Sequence, residues 1–83
     1  MPNVLKWNGY RVVIRTNDHN PAHVHVIDGK REAAFILNCP DGPPWLREQK
    51  GFGAHEINKL IKELHAHLYE LCTAWGDIHG SVC

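Results

Sequence analysis

Apolar and polar residues alternate through the first half of the chain and recur every three or four positions through the second. A change of period from about two to about 3.6 marks strands giving way to helix. Asn8-Gly9 separates Val4-Leu5-Lys6-Trp7 from Tyr10-Arg11-Val12-Val13-Ile14-Arg15. Asn-Gly readily takes the positive φ angles of a type I′ turn, so this stretch predicts a hairpin. In that register Leu5 faces Val12 and Trp7 faces Tyr10, with Ile14 on the same side, while Lys6, Arg11, Val13 and Arg15 take the other. Asp28-Gly29 predicts a second hairpin, from 23–27 to 30–37. If Val24 and Val26 point to the core, His23 and His25 point away from it, on the same face as Glu32. Between 38 and 44 stand three of the five prolines, a loop. Trp45-Leu46-Arg47-Glu48-Gln49-Lys50 fits either a short turn or an extra strand.

From Ala54 to Trp75 the apolar positions are Ile57, Leu60, Ile61, Leu64, Leu68, Leu71, Cys72 and Trp75, spaced as on one face of a helix. The pattern predicts one long amphipathic helix, with Gly53 at its N-cap, Glu56 as the acid three residues in, and Gly76 just past its end. The expected fold class is α+β, a single domain over 1–83. Two hairpins form a four-stranded antiparallel sheet, the C-terminal helix packs on one face, and the other face stays open.

At 83 residues there is room for one modest core. Nine basic and nine acidic residues cancel, which removes the global attraction of a dedicated nucleic-acid binder but leaves room for a local basic patch. Cys39, Cys72 and Cys83 are an odd number without a tight pairing pattern, and the N-terminus carries no apolar signal-peptide segment, so a reducing cytoplasm is expected. No apolar run approaches the ~18 residues needed to cross a bilayer. No membrane association is expected.

The densest chemistry is His19-Asn20-Pro21-Ala22-His23-Val24-His25. Imidazoles suit zinc, copper or nickel, and His19 folding back over His23 and His25 would make an open three-ligand set. No carboxylate or cysteine stands ready to complete a structural site, so no metal and no cofactor is expected, with this triad as the alternative. Beside the basic residues Lys6, Arg11 and Arg15, the His23/His25 pair could instead act as catalytic acid and base in metal-free RNA cleavage. The same face could also bind phosphate or an acidic partner surface without chemistry, or simply be solvated. On the helix, Glu56, Glu63, His67 and Glu70 read as a polar flank, and His55, His65 and His79 carry no assigned role. Trp7 and Trp75 read as core residues, and Trp45, beside the prolines, as a partner contact. None of the cysteines has an activating base beside it in sequence.

Met1-Pro2, Trp7-Asn8-Gly9-Tyr10-Arg11, Asp18-His19-Asn20-Pro21 with His23-Val24-His25-Val26, Leu37-Asn38-Cys39-Pro40-Asp41-Gly42-Pro43 and Gly51-Phe52 together resemble a small bacterial family, domain of unknown function 4160. The resemblance spans nearly the whole chain and is most specific at the histidine segment. It implies a toxin–antitoxin-type component encoded beside a small partner, often on mobile elements. It marks His19, His23 and His25 as functional positions without assigning them a role. Gly53 departs from the polar residue frequent there in such proteins.

Three functions follow as expectations. The first is a binding component that engages a cognate protein or RNA through the basic and histidine sheet face around Arg11, Arg15, His23 and His25, with Lys6, His19 and Trp45 as further binding residues. The second is a metal-independent ribonuclease with His23 and His25 as catalytic residues. The third is a phage or plasmid inhibitor that occupies a host defence complex. A homodimer through open sheet faces or edges is also compatible with the pattern.

Overall fold

The computed structural model describes residues 3–7, 10–15 and 21–79, the first of these segments as backbone only. Five strands, β1 (Asn3–Trp7), β2 (Tyr10–Val13), β3 (His23–Asp28), β4 (Arg31–Ile36) and β5 (Trp45–Lys50), precede α1 (Ala54–Ala66) and α2 (Leu68–His79). The strands form one antiparallel sheet in chain order. The class is α+β.

Both predicted hairpins pair as their turns require. Leu5 is opposite Val12 and Trp7 opposite Tyr10. The Asn8-Gly9 turn itself lies outside the described residues. Asp28 is opposite Arg31 across Gly29-Lys30, with Gly29 at φ +61°, the conformation that glycine supplies at the first central position of a type II′ turn.

The sheet has five strands rather than four, because residues 45–50 form β5 along β4. All six β5 residues are exposed, which explains why their sequence shows no strand-like alternation. Phe35 is opposite Leu46 and Ala34 opposite Glu48, so Arg47 is an extra residue in a bulge.

Val12, Val24, Val26, Ala33 and Phe35 meet Ile57, Leu60, Leu64, Leu68, Leu71, Cys72 and Trp75 in one core. The apolar stripe is the one the sequence predicts, but it runs along two helices. At His67 the backbone turns to φ −109°, ψ 18°, and its N–H is shared between the carbonyls of Glu63 and Leu64, at 3.2 Å each. Buried positions continue across the break at unchanged spacing, so periodicity alone could not reveal it.

Gly76 does not end the helix. α2 runs on to His79, whose ring lies 4.0 Å from that of Trp75 and whose Nε2–H donates to the Arg15 carbonyl at 3.1 Å. These contacts outweigh the roughly 1 kcal/mol that a glycine costs inside a helix. At the other end Gly53 is the N-cap, and Glu56 accepts its N–H at 3.3 Å.

Cys39 and Cys72, read from sequence as unpaired, form a disulfide between residues 33 apart. It joins the 38–44 loop to α2. Within this loop the Cys39-Pro40 and Gly42-Pro43 bonds are cis. No helix among the described residues is long and apolar enough to cross a membrane.

Candidate functional site

Residues opposite one another in an antiparallel sheet share a face, so the pairings bring most of the sequence-predicted site residues together. One row runs Arg11, Ile27, Glu32, Lys50; the next runs Val13, His25, Ala34, Glu48; a third runs His23, Ile36, Trp45. By strand alternation all lie on the face opposite Val12, Val24, Val26 and Phe35, which pack against the helices. Lys6 is the backbone partner of Arg11, while its side chain and all of His19 lie outside the described residues.

The expectation of an open face fails at its centre. Val13, His23, His25 and Ala34 are buried, the two histidines at only 4% and 6% exposure. The His23 ring lies 5.3 Å from that of Trp75 in α2 and 5.3 Å from that of His25 at a steep angle. Nδ1 of His23 is 2.8 Å from the Pro21 carbonyl. A carbonyl can only accept, so Nδ1 carries the proton. Nδ1 of His25 is 3.3 Å from Oε2 of Glu32, an oxygen that also accepts from Arg15 at 3.1 Å.

A carboxylate behind an imidazole is how a general base is oriented, and two imidazoles side by side could pass protons. Such chemistry needs a substrate within hydrogen-bond reach of the rings, and these rings are packed beneath their neighbours. Among the described residues no group of three or more His, Cys, Asp or Glu side chains is arranged to hold a metal ion.

Around this buried centre the rim is accessible and mixed in charge. Arg11, Glu48 and Lys50 are exposed, and Arg15 and Glu32 are half-buried. A shallow cleft of about 220 Å³ runs along β4 and β5 between Glu32 and Lys50. At one corner stands Trp45, 63% exposed.

A second polar cluster, which sequence reasoning missed, lies on the helix side. Arg31 donates to both carboxylate oxygens of Glu56, at 3.0 and 2.7 Å, and to Asp28, and its guanidinium sits 4.7 Å above the Phe52 ring. The Tyr10 hydroxyl donates to Glu56 at 3.3 Å. The hydrogen bonds to Asp28 and Glu56 raise the Arg31 pKa. The Gly53 N–H, followed by Arg31, holds the Glu56 carboxyl below the usual glutamate value. The helix-start position of Glu56 was the one legible sign of this cluster.

The family model described as Domain of unknown function (DUF4160) matches residues 9–76. The chain belongs to the DUF4160 family. The match takes in the two buried histidines, Trp45 and both bridged cysteines. Searches of curated proteins and of solved structures find no match to the chain.

Proposed function

We propose that this DUF4160 chain is the binding component of a toxin–antitoxin-type pair and that it docks a cognate protein through the helix-free sheet face, with Trp45 as the anchor. The observation that carries this reading is the exposure of Trp45 at the corner of a face whose centre is already packed. Tryptophan dominates interface energetics out of proportion to its area, and a large exposed aromatic rimmed by charges of both signs suits a protein partner. RNA is the weaker candidate. Glu32 and Glu48 stand among Arg11, Arg15 and Lys50, and Glu32 already engages Arg15, so the face has little net attraction for phosphate.

The ribonuclease reading ranks second. The approach of Glu32 to within 3.3 Å of His25, beside His23, favours it, and the burial of both rings opposes it. The inhibitor reading shares the docking face and differs in the partner's identity. Cytoplasmic action remains part of the proposal.

Co-expression with the small protein encoded beside the chain, followed by native mass spectrometry, should yield a stoichiometric complex. Trp45→Ala should weaken that complex by at least about tenfold. A complex indifferent to Trp45→Ala and to Arg11→Glu would remove this face from the interaction. A stable complex formed only with a host defence protein would turn the reading to the inhibitor.

A further inference from the structure

Trp45 follows a loop whose attachment to the helices can be read link by link. The Asn38 side chain donates to the Pro43 carbonyl at 2.8 Å, and the Gly42 N–H donates to the Asn38 carbonyl at 2.7 Å. Both bonds curl the loop on itself without tying it to α1 or α2. Pro44 is buried at its end. Gly42 holds φ +72° so close to Leu68 that a Cβ there would stand 2.9 Å from a Leu68 methyl, a packed contact with no bond in it. Among the described residues the covalent tie between this loop and α2 is the disulfide from Cys39 to Cys72. Its two cysteines differ in setting, since Cys72 is buried in the apolar stripe and Cys39 is only partly buried, in the loop at the edge of the core.

We propose that the Cys39–Cys72 bridge is a thiol-responsive clasp, whose reduction by a cellular thiol releases the 38–44 loop from α2 and weakens docking at Trp45. The docking half of this inference rests on the binding role proposed above. A thiolate attacks the Cys39 sulfur, whose residue is the less buried of the two, and the S–S bond breaks. Cys72 leaves as thiolate, takes up a proton and remains in the core as a small apolar side chain. A second thiolate attacks the outer sulfur of the mixed disulfide, which forms the external disulfide and frees the Cys39 thiol. In sum, two external thiols are oxidised to one disulfide, and the protein bridge gains two electrons and two protons. In a reducing compartment such bridges are transient and serve regulation rather than permanent reinforcement.

The test uses the full chain carrying Cys83→Ser, so that only two cysteines remain. Alkylated in denaturant, protein purified without thiol should take up no iodoacetamide, and protein first treated with reduced glutathione should take up two adducts. Reduction should speed hydrogen exchange at residues 38–42 by about tenfold or more while α1 stays protected. Cys39→Ser with Cys72→Ser should reproduce that exchange without any thiol. Two adducts before reduction, or loop exchange unchanged by it, would overturn the clasp. Affinity for the co-expressed partner should fall about tenfold on reduction, in parallel with the loop exchange. A loop that opens with affinity unchanged would overturn the control of docking. If Trp45→Ala leaves affinity intact, the binding role of Trp45 fails, and the exchange and alkylation results still decide the clasp.

Discussion

A single guanidinium nitrogen of Arg31 reaches both carboxylate oxygens of Glu56, 25 residues further along the chain. Arg31 closes the β3–β4 turn and Glu56 opens α1, so this contact sets where the helix begins relative to the sheet. Asp28 engages the same guanidinium from the turn, and Tyr10 reaches the same carboxylate from β2. Four residues from four elements thus share one charged knot above the Phe52 ring.

The knot makes stability depend on acid. Glu56 has a lower pKa folded than unfolded, so its stabilising share is complete above the unfolded glutamate value and is lost as pH falls through the folded one. Urea midpoints should therefore drop below the ordinary glutamate range, and Glu56→Gln should flatten that drop. An identical acid limb in wild type and Glu56→Gln would assign the loss to other carboxylates. At neutral pH, Arg31→Ala should lower the midpoint more than Arg47→Ala, since Arg47 is exposed in the β5 bulge.

Removing the disulfide by Cys39→Ser with Cys72→Ser should cost about 3–4 kcal/mol, the loop-closure entropy expected for a bridge over 33 residues. Chemical unfolding of the variant against oxidised wild type measures it. A difference below about 1 kcal/mol would mean that strain in the bridged state offsets the entropy.

His23→Ala and His25→Ala should act first on stability. Both rings are buried, His23 bonded to the Pro21 carbonyl and His25 with Nδ1 3.3 Å from Glu32, and truncation should cost about 1–3 kcal/mol. Wild type should cleave no RNA above a blank. Cleavage by wild type that disappears in a folded His25→Gln variant would restore the acid–base reading.

Trp45→Ala should leave the unfolding midpoint almost unchanged, within about 0.5 kcal/mol, because the side chain is largely in solvent. Thermal melts check this directly. A large loss would recast Trp45 as part of the support of β5 rather than a contact for a partner.

The parts legible in the sequence were those set by local rules. Alternation and turn chemistry gave both hairpins with their registers, and helical periodicity gave the buried stripe from Ile57 to Trp75. Register also told which face His23 and His25 occupy, but not what lies over it. Among the described residues Trp75, some fifty residues later in the chain, lies against His23, and Glu32, which Arg15 engages, lies against His25. The Cys39–Cys72 pairing has no spacing signature, and the β5 sequence shows no alternation because residues on both of its sides are exposed. Gly76 misled because an i,i+4 contact between Trp75 and His79 carries α2 past it.

The bulge at Arg47 bears on how copies of this chain behave when crowded. A straight, exposed edge strand is a template on which neighbouring molecules add strand after strand toward fibres. Here the incoming backbone would have to skip a residue at Arg47. A two-fold antiparallel match centred on Arg47 or on Glu48 would set like charges against each other. The exposed edge strand β5 is therefore a stop to lateral growth, and deleting Arg47 would convert it into a seed.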